Sequence, residues 1–234
     1  MDQAMFNDRR EAGRKLALEL ARMNLRDPVV LALPRGGVPV AAEIAEALAA
    51  PLDLVIVRKV GAPGNPELAV AAIVDGDPPD VVLNREIVEA YRLDEASLAA
   101  LVARERPELA RRRAAYLGSR RPLPIAGKTA VLVDDGAATG TTMKVAVRAL
   151  KRRSPAALVV ALPVAPPDTV EALRSEADRL VCLSSPARFR ALGYFYRNFE
   201  QLSDEDVLAA MDKARHPRDT GGRKGGNPRR AADG

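Results

Sequence analysis

The stretch from Ala130 to Asp135, Ala-Val-Leu-Val-Asp-Asp, limits the possible folds of this chain more than any other. Four apolar residues in a row leave no polar position to face water, so a strand over Thr129–Val133 must be covered on both sides. Similar runs recur at Val29–Leu33, Leu52–Val57, Leu68–Val74, Ala157–Leu162 and Leu180–Leu183. Between them lie helical patterns over about 6–26, 38–49, 141–152 and 168–177. Strands alternating with helices, several of them apolar throughout, predict an α/β fold with a mostly parallel, doubly wound sheet. The loop Gly61-Ala62-Pro63-Gly64-Asn65-Pro66 is expected to be irregular. Residues 84–116 look helical in pieces, with Pro107 opening a new helix, since an interior proline costs about 3 kcal/mol.

In such sheets ligands bind beyond the carboxyl ends of the strands. Three strand ends carry chemistry: Arg35-Gly36-Gly37, Arg58-Lys59, and Asp134 through Thr142. The last is the richest. A buried strand delivers Asp134 and Asp135, and the loop Gly136-Ala137-Ala138-Thr139-Gly140-Thr141-Thr142 then opens a helix. Glycines present bare amides, threonines add hydroxyls, and a helix N-terminus carries about half a positive charge. That is a phosphate cradle, and the paired acids suit a sugar diol or a divalent cation. The nucleoside-triphosphate loop pattern does not fit, because its spacing differs and no lysine lies within the loop.

Composition narrows the chemistry further. The chain has one cysteine, Cys182, and one histidine, His216, which excludes Cys/His zinc clusters and Ser-His-Asp catalysis. Catalysis must rest on carboxylates, cations, backbone amides and a metal held by oxygen. The net charge of +5 is matched by the segment Lys213–Gly234, so residues 1–212 sum to zero. That segment holds no Ile, Leu, Val or Phe and is predicted to be a disordered, solvated tail, with only weak nucleic-acid contacts as the alternative. No apolar run approaches the roughly 18 residues needed to span a bilayer. The charged first ten residues are unlike a signal peptide, so a cytoplasmic protein with no membrane contact is expected.

Val131 to Met143 resembles the phosphoribosyl pyrophosphate (PRPP) signature of type I phosphoribosyltransferases. Ala32-Leu33-Pro34-Arg35-Gly36-Gly37-Val38 resembles that family's pyrophosphate loop in its xanthine-guanine form, and Arg58-Lys59 resembles the basic pair ahead of its mobile loop. The chain is most similar to the predicted bacterial phosphoribosyltransferases. The resemblance implies a core over 1–185 with a helical insertion at about 76–128, a hood-like segment over 186–212, and the tail over 213–234. It implies transfer of ribose 5-phosphate from PRPP to a base, with release of pyrophosphate and with Mg²⁺ as cofactor. Asp134 and Asp135 then hold the ribose hydroxyls and Mg²⁺ through water or ribose, and Gly136 to Thr142 hold the 5′-phosphate. Arg35, Gly36 and Gly37 meet pyrophosphate through a peptide at Arg35–Gly36 that is often cis in the family. Arg58 and Lys59 neutralise the leaving group; Arg35, Lys59, Asp134 and Asp135 are the candidate catalytic residues. A homodimer is compatible with the family.

Two departures bear on the acceptor. No Lys, Arg or His lies between Lys59 and Arg85, and the insertion is long for a crossover. The chain has four Tyr and four Phe, and five of these cluster between Phe189 and Phe199. Tyr194, Phe195 and Tyr196 resemble the base-stacking segment of hypoxanthine-guanine enzymes, whereas Ala138 matches adenine-type enzymes. A purine-like planar acceptor is expected. The competing explanation is that these rings only pack the C-terminal segment. A PRPP-binding regulatory module without turnover and a PRPP synthase also share the acid-pair loop.

Overall fold

The computed structural model describes residues 5–76, 78–118 and 120–215. Five strands, β1 (Pro28–Ala32), β2 (Leu52–Leu54), β6 (Thr129–Val133), β7 (Ala157–Val164) and β8 (Arg179–Ser184), form one parallel sheet in the order β2-β1-β6-β7-β8. Its two faces feed two cores, and alternate residues sort cleanly between them. Val30, Ala32, Val131, Val133, Val159 and Ala161 join a core with helices α1 (Arg9–Ala21), α2 (Gly37–Ala47) and α7 (Asp204–Arg215). Val29, Leu31, Ala130, Leu132, Leu158, Val160 and Leu162 join the other, with α5 (Thr141–Lys151) and α6 (Pro167–Arg174). This is why the strands carry no alternation of polarity: both sides are dry.

The run Leu52–Val57 does not form one strand. β2 stops at Leu54, and the chain leaves the parallel sheet to enter a three-stranded antiparallel one, β3 (Val57–Ala62), β4 (Asn65–Val74) and β5 (Asp80–Leu83). The stretch expected to be irregular is therefore a hairpin. Pro63-Gly64 supplies a two-residue turn, and a register shift between Val60 and Ala62 accommodates Gly61. The insertion is likewise not purely helical: β5 precedes α3 (Arg85–Ala90) and α4 (Glu95–Leu117). Pro107 lies inside α4 rather than at its start. Burial of Val102 before it and of Leu109, Tyr116 and Leu117 after it offsets the lost backbone bond.

The hood-like segment is built from both ends of the described chain. A 3₁₀ turn at Leu192–Phe195 leads into Tyr196, which bridges to Phe6. The Phe195 carbonyl accepts from the amides of Met5 and Phe6, and Phe6 and Asn7 carbonyls accept from Arg197 and Asn198. Residues 213–215, read with the tail, belong to α7, where Lys213 lies 3.6 Å from both Glu43 and Glu46. The rest of the expected tail, residues 216–234 with His216, lies outside the described residues. Among those described, no helix is long and apolar enough to cross a membrane.

Candidate active site

The carboxyl ends of β1 and β6 meet through the Leu33 amide, which donates to the Val133 carbonyl at 2.9 Å. This register sets Pro34–Gly37 directly against Asp134–Asp135. The contact is so close that a Cβ on Gly36 would stand 2.1 Å from an Asp135 carboxylate oxygen. Gly37 packs in the same way against the Val133 carbonyl and the Asp134 backbone. The two motifs thus form one interlocked piece. The cis peptide of this loop is Pro34–Arg35, one bond before the Arg35–Gly36 position expected from the family.

Beyond the acids the loop continues to α5, which is capped at Gly140. The Ala137 amide donates to the Val164 carbonyl at 3.0 Å, and Thr169 Oγ1 donates to the Ala138 carbonyl at 2.7 Å, so β7 and α6 hold the loop from behind. Ala138, Thr139 and Thr141 stay exposed, with the Thr139 and Thr141 hydroxyls 3.1 Å apart.

The acids are not equivalent. The Asp135 amide donates to Asp134 Oδ1 at 2.9 Å. Burial, then the neighbouring charge of Asp135, pushes the Asp134 carboxyl well above the ordinary carboxylate range. Asp135 is 6% exposed, and burial raises it too, but the Arg9 guanidinium opposes the shift. Arg9 Nε donates to Asp135 Oδ2 at 2.8 Å. No group of three or more His, Cys, Asp or Glu gathers into a metal cage among the described residues. What is present is a pair of adjacent acids, one of them paired with Arg9.

The basic residues fall in different places. Arg58 and Lys59 are neighbours on β3 and so point to opposite faces. Arg58 reaches Glu105 of α4, Nε to Oε2 at 2.6 Å. Lys59 faces α5 and lines a cavity of about 570 Å³ with Thr141, Thr142, Asn84, Arg85 and Lys144. Arg35 donates from Nη1 to the Leu202 carbonyl at 2.6 Å and lies 3.5 Å from Asp204, which also accepts from the Tyr116 hydroxyl at 2.6 Å. The structure thus brings Lys59 to Thr141 and Thr142, leaves Arg35 at the rim of a cavity shared with Asp135 but tied to Leu202 and Asp204, and turns Arg58 toward α4.

The aromatic cluster divides as well. Tyr196 is 4% exposed and packed between Phe6 and Phe199, at centroid distances of 5.4 and 5.0 Å. Its hydroxyl donates to the Asp135 carbonyl at 2.5 Å, and burial pushes the phenol far upward. Phe195 stacks on Phe189. Tyr194 is 64% exposed. Sequence reasoning missed Arg9 and the backbone role of Tyr196. Both act on Asp135 from more than sixty positions away, and no local pattern marks either.

Comparison with known proteins places this geometry. The phosphoribosyl transferase domain family matches residues 3–194. The chain is 45% identical over 210 residues to two Mycobacterium tuberculosis proteins, Rv0571c and MT0597, whose names assign them to the phosphoribosyl transferases. That match covers 90% of this chain and 47% of each relative, so the chain spans about half the length of the curated relatives it matches. A crystal structure of TT1426 from Thermus thermophilus superposes with a TM-score of 0.78 at 45% identity, covering 88% of this chain and 97% of that one.

Proposed function

The chain belongs to the phosphoribosyl transferase domain family, and from that premise we propose that it transfers the ribose 5-phosphate of PRPP to a planar, purine-like base with release of pyrophosphate. The observation that carries the proposal is the interlock of Gly36 and Gly37 with Asp134 and Asp135, next to the exposed threonines that open α5. It brings Gly36 and Gly37, the two acids and the threonine loop to one sheet edge, the segments that this reading assigns to pyrophosphate, the ribose diol and the 5′-phosphate.

In this reading the 5′-phosphate lies on the amides and hydroxyls of residues 136–142, and the ribose hydroxyls face Asp134 and Asp135. Pyrophosphate lies over Gly36 and Gly37. Departure of pyrophosphate leaves a cationic ribosyl centre, so the protein supplies orientation, leaving-group neutralisation and exclusion of water rather than a nucleophile. Lys59 and Arg35 are the neutralising cations, and Arg58 serves α4. A bound Mg²⁺ would supply positive charge that offsets the charge of the leaving group. Asp134 and Asp135 would hold it, since two adjacent carboxyls at the strand end are the hard oxygen donors that such an ion takes. Tyr196 is committed to packing, so Tyr194 and Phe195 remain to stack the base, a contact worth about 1–3 kcal/mol. Ala138 offers no acid to the base.

The test is pyrophosphate release from PRPP with Mg²⁺ against a panel of nucleobases, together with calorimetry of PRPP on wild type and the double variant Asp134→Asn, Asp135→Asn. Release with a purine, and loss of PRPP binding in the folded double variant, are expected. Unchanged affinity in that variant would sink the assignment. One observation favours a second reading, a PRPP-binding regulatory module: Arg35 is tied to Leu202 and Asp204 rather than left free for a leaving group. PRPP binding without pyrophosphate release from any base would select it.

A further inference from the structure

Asp135 is gripped by a residue that none of the motifs contains. Asp8 caps α1 by accepting from the Glu11 amide at 2.7 Å, and the Glu11 carboxylate accepts in return from the Asn7 amide at 2.6 Å. This reciprocal cap fixes the first turn of α1, and Arg9 is its first residue. The guanidinium is then held on three sides. Nε donates to Asp135 Oδ2 at 2.8 Å, Nη1 donates to the Glu200 carbonyl at 2.9 Å, and the planar group lies 3.9 Å over the Phe199 ring. The side chains of Arg9 and Asp135 are 11% and 9% exposed. Gly36 packs against the same carboxylate. A cavity of about 340 Å³ opens beside them, lined by Arg9, Arg35, Gly36, Asp135, Phe199 and Glu200.

We propose that Arg9 is a positioning residue for the ribose-binding acids. It fixes the orientation of the Asp135 carboxylate so that the diol meets a preset acceptor, and it ties that setting to Phe199 and Glu200. Arg9 itself does not touch the reacting atoms. A guanidinium suits the task because its fork reaches carboxylate and carbonyl at once while its face rests on a ring. A lysine could match only the charge.

This inference rests on the proposed function in taking the ribose to lie on Asp135, and the experiment separates the two. Ribose 5-phosphate and inorganic pyrophosphate, each with Mg²⁺, are titrated calorimetrically into wild type, Arg9→Gln, Arg9→Lys and Phe199→Leu. Arg9→Gln is expected to weaken ribose 5-phosphate by roughly tenfold or more while pyrophosphate shifts by less than about twofold. Arg9→Lys should recover part of the loss, and Phe199→Leu should show a smaller loss of the same selectivity. If Arg9→Gln does not fold, the two charge-retaining variants carry the test by the same ratio of affinities. Equal loss of both ligands would mark Arg9 as merely structural, and unchanged ribose 5-phosphate binding would remove it from the site; either overturns the inference alone. Wild type that binds neither ligand would overturn the proposed function along with it.

Discussion

On one wall of the proposed site, Gly36 and Gly37 lie so close to Asp134 and Asp135 that a single added methyl would enter the Asp135 carboxylate. On the other, Lys59 stands on a strand of the antiparallel sheet with its side chain in a separate open cavity, which it shares with Thr141 and Thr142 and not with the acids or Gly36. That sheet is fastened at its margins by ion pairs: Arg58 with Glu105, Asp75 with Arg113, and Arg152 and Arg153 with Asp80. The first wall is set by steric contact between two strand ends of one sheet. The second is held by buried residues of β3 and β4 such as Val60, Val70 and Ile73, with charge pairs at its margin, and what is adjustable on it is the exposed Lys59 side chain. Under the proposed function, a site that binds a sugar phosphate firmly yet admits and releases an acceptor gains from having one fixed and one adjustable wall.

The sharpest way to break this contrast is a matched pair of glycine substitutions. Gly36→Ala places a Cβ 2.1 Å from the Asp135 carboxylate, and the forced shift is expected to cost about tenfold to a hundredfold in PRPP affinity. Gly64→Ala, at the hairpin turn, meets no atom within 4 Å but must hold φ of +75°. It should lower stability by about 1–2 kcal/mol and leave affinity unchanged. Calorimetry and thermal melts on both proteins decide, and Gly36→Ala binding PRPP as wild type does would dissolve the distinction.

A second comparison stays within the adjustable wall. Lys59→Ala should slow turnover about tenfold while sparing ribose 5-phosphate, which has no pyrophosphate. Arg58→Ala, one residue away but paired with Glu105 across α4, should change turnover by less than about twofold, because a half-exposed ion pair contributes little. Equal effects in steady-state kinetics would mean that strand alternation does not separate their roles.

The smallest effect concerns the cost of the fixed wall. The Asp134 carboxyl has its proton affinity raised in the folded protein, so its contribution to stability is present below the ordinary carboxylate range and is lost as pH rises through the raised value. An asparagine side chain at this position would not ionise and would keep an oxygen for the Asp135 amide. Asp134→Asn should therefore melt higher than wild type near pH 7, by about 2–4 °C per kcal/mol relieved. The gain should fade toward pH 4. A gain that is independent of pH would show that packing, not charge, is the cause.

The fixed wall is legible in the sequence because its parts are contiguous. The apolar run before Asp134, the two acids and the small-residue loop to Thr142 report strand, turn and cradle within fourteen positions. The adjustable wall is not. Gly61 to Pro66 holds enough turn formers to hide a hairpin whose strands are defined by pairing across the turn. Without the strand bounds, Arg58 and Lys59 look like one basic pair rather than two residues on opposite faces. Tyr196 looks like its aromatic neighbours until its hydroxyl is found on the Asp135 carbonyl. Pro107 obeys no local rule, because burial on both sides of it outweighs the lost bond.

The contact of Arg9 with both Asp135 and Glu200 spans sequence separations of 126 and 191 residues. During synthesis the parallel sheet can assemble as soon as β8 has emerged, but Phe199 and Glu200 follow only later. A released chain ending at about residue 190 would contain all five strands of the sheet together with an N-terminal helix whose arginine lacks Phe199 and Glu200. The order in which the ribosome delivers these segments makes the surroundings of the acid pair one of the last parts of the domain to mature. Long-range closures of this kind are also the slow steps of folding.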